Sequence, residues 1–419
     1  MTKLVGVLIL AGSTLLATTR YLSPAGSDAN SCTTSSRCKS INRAYQLSTN
    51  GDIILMAAGT YSDVQTLTPN GMGGTFNQTP VTANVVTVRP ESGAVTIAGD
   101  LLFGDSTSAS PIDHLAFEDI TVSSWMQIKS GRDIHFTRVK FMMISQWNCA
   151  DNISVQNSEY GPFTSDYGDA LDLYGGIYGT VCNGSVTHRG NWLIETSSIH
   201  GISTNVSTAH PDAFALDDGD NVVIRRNKFY NNCGDDIRIS SEGPPTNIVL
   251  QNNYFGPPVS CAAGAATTVQ VVNVGTIVSY NTFDGDVQMG SPDNLFDREL
   301  WEGNIITGQV AGGCPIGAGT IARYNVWSSR NSASCGANNV RVNDFSGWFV
   351  NPSIAAGDYR LTSAAALAVG AGNPSSYPAV DVDGNSRGSR PDAGASQFSV
   401  AAGGVTAPNP PTNLTSLVR

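Results

Sequence analysis

Acidic residues gather in the middle of this 419-residue chain in a pattern that could do chemistry. Asp166, Asp169 and Asp172 share one short segment, His210-Pro-Asp212 and Asp217-Asp-Gly-Asp220 a second, and Gly234-Asp-Asp-Ile-Arg238 a third. Carboxylates brought close together raise one another's pKa or share a cation. A proton-donating acid beside an ionised base is what cleavage of a glycosidic bond requires. Arg238 offers a different use. A cation there, or Lys129, would neutralise a substrate carboxylate while a base removes the adjacent proton, and Asp172, Asp217 and Asp236 would hold Ca2+ through hard oxygen ligands.

These segments are far apart in the chain, so something must bring them to one surface. Downstream, one phrase returns at a nearly constant interval: Asn227-Lys-Phe229, Asn253-Tyr-Phe255, Asn281-Thr-Phe283, Asn304-Ile-Ile306 and Asn325-Val-Trp327. Each follows an alternating apolar run such as Val222-Val-Ile224, Ile248-Val-Leu250 or Thr276-Ile-Val278, with weaker copies at Leu115-Ala-Phe117, Ile134-His-Phe136 and Ile153-Ser-Val155. A repeat too short to bury its own apolar face must stack on its neighbours. Period-two alternation punctuated by Gly, Asn, Asp and Ser makes the units strands joined by turns. The fold expected is all-β: a parallel β-helix whose coils lie ~4.8 Å apart. The recurring Asn fits two readings, a hydrogen-bonded ladder between coils or a turn residue that tolerates left-handed geometry.

Aligning the apolar alternation puts Leu171 and Leu173 over Phe214 and Leu216, and those over Ile237 and Ile239. The outward row is then Asp172, Ala215, Arg238 and Gln270, flanked by Asp236 on one side and by Tyr174 and Asp217 on the other. With Ala215 between them, Asp172 and Arg238 would face each other across a floor ~9.6 Å long, two strand spacings. That groove suits a sugar. His210, Lys129, Tyr174 and Gln270 are further expected substrate contacts, and Trp125 and Trp147 are rings that could stack on one. Bland readings stand beside these. Asp217-Asp-Gly-Asp220 and Asp381-Val-Asp-Gly-Asn385 suit ordinary turns, and the latter lacks the distal Glu of a complete calcium loop.

Charged residues are only 14% of the chain while Gly numbers 44, which suits an elongated extracellular β protein. A net charge of -11 argues against nucleic acid, whose binders carry basic patches. Lys3 followed by the apolar run Leu4 to Leu16 and then Ala17 has the form of an export signal, too short for a membrane span. Eight cysteines agree with export and disulfides. Neighbouring pairs, Cys32 with Cys38, Cys149 with Cys182, Cys233 with Cys261 and Cys314 with Cys335, are the expectation, although spacing leaves the connectivity open. The segment Cys38 to Leu47 reads as a short amphipathic helix over the first coil, with Ile41, Ala44, Tyr45 and Leu47 on one side. The expected organisation is an export signal at 1–17, an N-terminal cap and first strand at 18–62, coils at 63–362, a C-terminal cap segment at 363–400 and a disordered tail at 401–419. A secreted monomer without a membrane span is expected.

The opening helix with Gly51-Asp-Ile-Ile54 and Gly59-Thr-Tyr61, the Asn-x-Phe coils, and the closing Asp381-Val-Asp-Gly384, Arg387 and Asp392-Ala-Gly-Ala395 together resemble the right-handed, single-stranded parallel β-helix proteins of the pectin-lyase superfamily. The likeness covers roughly Arg20 to Phe398. It implies that fold with a short N-terminal capping helix, and a carbohydrate-active protein, although the superfamily also holds noncatalytic members. His210-Pro-Asp212 with Gly234-Asp-Asp236 resembles the Asn-Thr-Asp and Gly-Asp-Asp motifs of polygalacturonase-type hydrolases, which implies Asp212, Asp235 and Asp236 as acid and base. His-Pro replaces Asn-Thr, no Gly-His-Gly follows, and the alternation places Asp235 opposite Asp212. The pectate-lyase branch implies the calcium set instead. The expected function is binding and cleavage of a uronate-containing polysaccharide by lyase or hydrolase chemistry. The competing class is a noncatalytic extracellular β-helix that recognises glycan or another surface.

Overall fold

The structure is a computed structural model and describes residues 17–70, 84–104, 110–165, 171–173, 190–209, 211–217, 219–239, 246–262, 269–271, 275–289, 299–311, 319–331 and 336–398. Two sheets of 12 strands and one of 10, with parallel pairing throughout, account for nearly all the strands. The chain visits them in turn. Ile112–Glu118 lies in the first sheet, Thr121–Val122 in the third, Met126–Ile128 in the second, and Gly131–Thr137 returns to the first, one coil on. A crossover between parallel strands of one sheet is right-handed in nearly every case, and the chain is a right-handed, single-stranded parallel β-helix.

Alternation explains the core. In the first sheet Trp192, Val222, Ile248, Val278, Trp301 and Ala322 point inward, and in the third Phe229, Phe255, Phe283, Ile306 and Trp327 stack in register. The repeating Asn resolves as a ladder. Asn227, Asn253, Asn281, Asn304 and Asn325 each donate their backbone N–H to the Oδ1 of the next Asn at 2.9–3.0 Å, ending on Asn339. Each Nδ2 also reaches a carbonyl of the preceding coil, as Asn281 does to Leu250 O at 2.9 Å. Left-handed backbone falls one residue earlier, at Arg226, Asn252, Tyr280, Gly303 and Tyr324, so the turn reading of the Asn is not the one realised.

At the start of the stack the helix Ile41–Gln46 buries Ile41, Ala44 and Tyr45, with Ser40 as its N-cap accepting from Arg43 N at 3.1 Å. It packs on the strands Thr19–Leu22, Ile53–Met56 and Gln65–Leu67. Cys32–Cys38 and Cys233–Cys261 are disulfides, as expected. Cys149 is also disulfide-bonded, while Cys182, Cys314 and Cys335 lie outside the described residues. So do residues 1–16 of the expected export signal and the tail at 401–419. Among the described residues no helix is long and apolar enough to cross a membrane.

After the last coils, the antiparallel pair Phe349–Asn351 and Asp358–Leu361 and the segment up to Phe398 fold back along the flank. Trp348, Phe349, Tyr359 and Leu361 build a second apolar core with Tyr254, Ile305 and Val326 of the third sheet's outer face. This strap is stitched to four successive coils: Asp383 to Lys228 (3.2 Å), Arg387 to Asn252 (2.9 Å), Ala395 N to Thr282 Oγ1 (3.0 Å), and Gly394 N to Gly303 O (2.7 Å). From Lys228 onward the outer face of the third sheet is thereby covered, and the second sheet carries the polar row.

Candidate functional site

Pairing in the second sheet places one outward row across successive coils: Gln127, Gln146, Asp172, Ala215, Arg238, Gln270 and Gln288. The expected alignment of Asp172, Ala215, Arg238 and Gln270 is the observed register. Six steps of ~4.8 Å make this row ~29 Å long. Gln127, Gln146, Arg238 and Gln288 are all partly exposed, so amide and guanidinium groups line it.

Arg238 is the centre of the described part of the row. Its strand, Ile237–Ile239, buries the two isoleucines inward, which turns the arginine out. Its Nε lies 3.2 Å from Asp212 Oδ2 and its Nη2 3.9 Å from Asp217 Oδ1. Asp212 and Asp217 flank the neighbouring strand Phe214–Leu216, so the guanidinium spans that strand over Ala215, which is fully buried. The arginine side chain is 32% exposed, whereas the two carboxylates are 6% and 7% exposed. What meets solvent is therefore positive, although the motif is rich in Asp.

The corner before the strand is shaped by the approach of two coils. Asp235 N donates to Asp212 Oδ1 at 2.9 Å, and Ala213 N donates to Asp235 O at 2.8 Å. Gly234 has φ +93°, and a Cβ there would stand 2.9 Å from Pro211 O. Only glycine takes that conformation without strain. Cys233, tied to Cys261, pins the same corner. Asp236 points away from the row: its Oδ1 accepts from Asn232 Nδ2 at 2.8 Å, and Oδ2 has no hydrogen-bond partner among the described residues. Burial drives the Asp236 pKa well above the ordinary carboxylate range, against the Asn232 hydrogen bond and with help from the charge of Asp235. Asn232 was not expected from sequence. It also donates to Ile199 O at 3.0 Å and accepts from Ile202 N at 3.2 Å, one coil away.

Several expectations need correction. Asp212, Asp235 and Asp236 are all buried, and the first two are joined by a hydrogen bond, so they do not form an open acid and base on either side of a groove. Asp217 and Asp236 stand at opposite ends of adjacent strands with different partners, Arg238 and Asn232. Of the expected calcium set, Asp217 thus faces the Arg238 guanidinium at 3.9 Å and Asp236 is buried against Asn232, while the Asp172 side chain lies outside the described residues. Lys129, the alternative cation, follows the strand Met126–Ile128, four strands from Arg238 or ~19 Å along the same sheet. Trp147 is fully buried against Trp192 rather than available to a sugar, while Trp125 is 39% exposed. The backbones of Asp172 and Gln270 take their expected places, but their side chains, with Tyr174, His210, Asp166 and Asp169, lie outside the described residues. At Asp217-Asp-Gly-Asp220 the turn reading gains support: Asp220 Oδ1 accepts from Asn247 Nδ2 at 2.7 Å, and Gly219 packs on the Trp192 ring. Asp381 is a turn staple whose carboxylate accepts backbone N–H groups from Asp383, Asn385 and Gln397 at 2.8–3.0 Å.

A second cluster went unnoticed in the sequence. Asp113, His114 and Asp133 are buried at the start of two strands of the first sheet, with ligand atoms close enough for a metal. Asp113 Oδ2 and Asp133 Oδ1 are already taken. Asp113 Oδ2 takes Arg132 and Oδ1 faces His114 Nδ1 at 2.8 Å, while Asp133 Oδ1 takes His135 Nε2 at 2.9 Å and Asn152 Nδ2 at 2.8 Å. This is an internal ion-pair network that fixes a corner. Its one outward sign is a column of left-handed residues, His114, Asp133, Asn152, Asn191, Asn221 and Asn247, which hydrophobic alternation does not report.

Fold and site thus define a single-stranded β-helix with a long polar row on one open sheet and an aspartate-clamped arginine at its middle. No protein-family model matches the chain, and no curated protein matches its sequence. Among solved structures it is similar to pectate lyase Pel9A, at 13% identity and a TM-score of 0.47 over 91% of this chain and 96% of that one. It is also similar to a lacto-N-biosidase from Eubacterium ramulus, at 12% identity and a TM-score of 0.38 over 77% of this chain and 65% of that one. A third is a mannuronic acid specific polysaccharide family 6 lyase from human gut microbiota, at 13% identity and a TM-score of 0.33 over 71% and 87%. At these identities the likeness is one of fold.

Proposed function

We propose that this protein is exported, binds a uronate-containing polysaccharide along the outer row of its second sheet, and cleaves it by β-elimination. The observation that carries the reading is Arg238, a partly exposed cation held by two buried carboxylates inside a row of amide side chains. Amides donate to and accept from sugar hydroxyls, and a guanidinium matches a carboxylate in a fork of two hydrogen bonds. In β-elimination a base takes the C5 proton, the electron pair left behind becomes the C4–C5 double bond, the C4–O4 bond breaks and O4 leaves to be protonated as a hydroxyl, and meanwhile the uronate carboxylate gathers negative charge. A fixed cation against that carboxylate stabilises the charge where it develops. Hydrolysis is less well served, because it needs two accessible carboxyl groups flanking the bond and the three candidates are buried. The disulfides support an oxidising, extracytoplasmic location.

The burial of Asp212, Asp235 and Asp236 also favours a second reading, a noncatalytic glycan-recognising β-helix. Purified protein incubated with pectate, alginate and neutral glycans separates the readings. Ultraviolet-absorbing unsaturated ends establish the lyase, and new reducing ends without absorbance establish a hydrolase. Retention on acidic glycan with neither product leaves recognition alone. Failure to bind any acidic polysaccharide sinks both proposals.

A further inference from the structure

One arm of the corner network in the first sheet reaches solvent. His135 stands two residues beyond Asp133 on the strand Gly131–Thr137, and Ser154 lies beside His135 in register on the next strand, Ala150–Gln156. The three side chains join in a line. His135 Nδ1 is 2.7 Å from Ser154 Oγ, and His135 Nε2 is 2.9 Å from Asp133 Oδ1. Asp133 is itself held from two sides: Oδ1 also accepts from Asn152 Nδ2 at 2.8 Å, and Oδ2 lies 3.8 Å from His114 Nε2. The carboxylate is 11% exposed and the imidazole 30%, and Ser154 is half-buried, so the base and the hydroxyl meet solvent while the acid is withdrawn.

A serine beside a histidine on adjacent strands is, by itself, ordinary sheet pairing. The aspartate gives the pair a direction. An ionised carboxylate only accepts hydrogen bonds, so Nε2 carries the imidazole proton and the lone pair of Nδ1 faces the serine hydroxyl. Those are the parts that activate a serine: a base placed to take the hydroxyl proton, with its far side fixed by a buried acid. In the same row Ala116 precedes His135 and Leu193 follows Ser154, so the hydroxyl opens between a small and an aliphatic side chain. Strand N–H groups are committed to the sheet. The amides that flank Ser154 on its own face are Asn152 and Gln156, two residues to either side and outward by the same alternation.

We propose that Ser154, His135 and Asp133 form an ester-cleaving site, separate from the polar row of the second sheet, that takes aliphatic carboxylic esters through an acyl-serine. Ser154 Oγ bonds to the ester carbonyl carbon as its proton passes to His135 Nδ1. The bond from that carbon to the alcohol oxygen breaks, the alcohol leaves with the proton, and the acyl group stays on Ser154. Water then attacks the acyl carbon while His135 takes one of its protons. The carbon–Oγ bond breaks, the carboxylic acid leaves, and His135 returns the proton to Ser154.

A fluorophosphonate probe incubated with the full chain should label Ser154 ahead of every other serine, read by peptide mass spectrometry, and p-nitrophenyl butyrate should release p-nitrophenolate. Ser154→Ala should lose the label and fall to the rate of buffer with the melting temperature of wild type. His135→Gln should slow labelling roughly a hundredfold or more, the share a general base supplies. Asp133→Asn keeps the size of the acid but donates to Nε2. Nitrogen chemical shifts at mildly alkaline pH should then show His135 moving from the Nε2–H to the Nδ1–H form, with labelling slowed as in His135→Gln. No label on Ser154, no release of p-nitrophenolate, labelling of His135→Gln at the wild-type rate, or an Nδ1–H imidazole in the wild type would overturn the proposal.

Discussion

Arg238 and Asp212 lie on adjacent coils, with Arg238 Nε 3.2 Å from Asp212 Oδ2 and Asp235 N, 23 residues along the chain from that aspartate, 2.9 Å from its Oδ1. One buried carboxylate thereby orients the exposed cation and holds the corner that carries it. Removing the charge should act on binding directly. Arg238→Gln is expected to weaken retention of pectate or alginate about tenfold or more, the loss of one charge-assisted contact worth ~1.5–3 kcal/mol. Affinity electrophoresis measures this, and Arg238→Lys should recover only part, since it restores charge without the fork. Unchanged retention in Arg238→Gln would remove the site assignment.

Metal chelation provides a separate prediction. With a guanidinium lying against Asp212 and Asp217, polymer binding and any turnover should persist after treatment with a calcium chelator, and added Ca2+ should leave the melting temperature unmoved. Loss of binding on chelation, restored by Ca2+, would show that the cation site is mineral and not arginine.

Asp236 makes stability depend on pH. Its folded pKa is raised by burial, so the native state holds a proton that the unfolded chain releases at an ordinary carboxylate pKa. Its contribution is favourable in acid and is lost as pH rises from the unfolded pKa through the folded one. Asp236→Asn, which cannot ionise, should gain stability relative to wild type as pH rises from acid to neutral. Melting curves at several pH values check the sign; a difference that shrinks toward neutral pH contradicts it.

The asparagine ladder should be costly to interrupt. Asn281→Ala strands Leu250 O and the Asn253 N–H, both buried, at ~1–3 kcal/mol each. The exposed Asn221→Ala should cost less than ~1 kcal/mol. Chemical denaturation of the two variants tests the ladder against a mere turn preference.

The ladder and the outward row were legible because both are properties of a period. Repeated Asn-x-Phe marks one corner of each coil, and two-residue alternation sets which side chain lies over which, so Ala215 could be placed between Asp172 and Arg238 without coordinates. What alternation does not carry is depth. Asp212, Asp235 and Asp236 are buried by a glycine corner, a disulfide and Asn232, and these act through close approach across coils, not through pattern. Trp147 illustrates the same gap, since its neighbour Trp192 lies beyond a long intervening segment. The Asp113 and His114 network was invisible because its local signature is a backbone angle.

In a simple stack each coil holds only its two neighbours, and such arrays melt from the ends, one unit fraying after another. The returning strap changes that connectivity. By tying residues 373–395 to coils that begin as early as Lys228, it makes the terminal coils unable to peel away singly. The half of the molecule carrying Arg238 is thus bound into one cooperative block, so rigidity at the groove is sustained from the far end of the polypeptide.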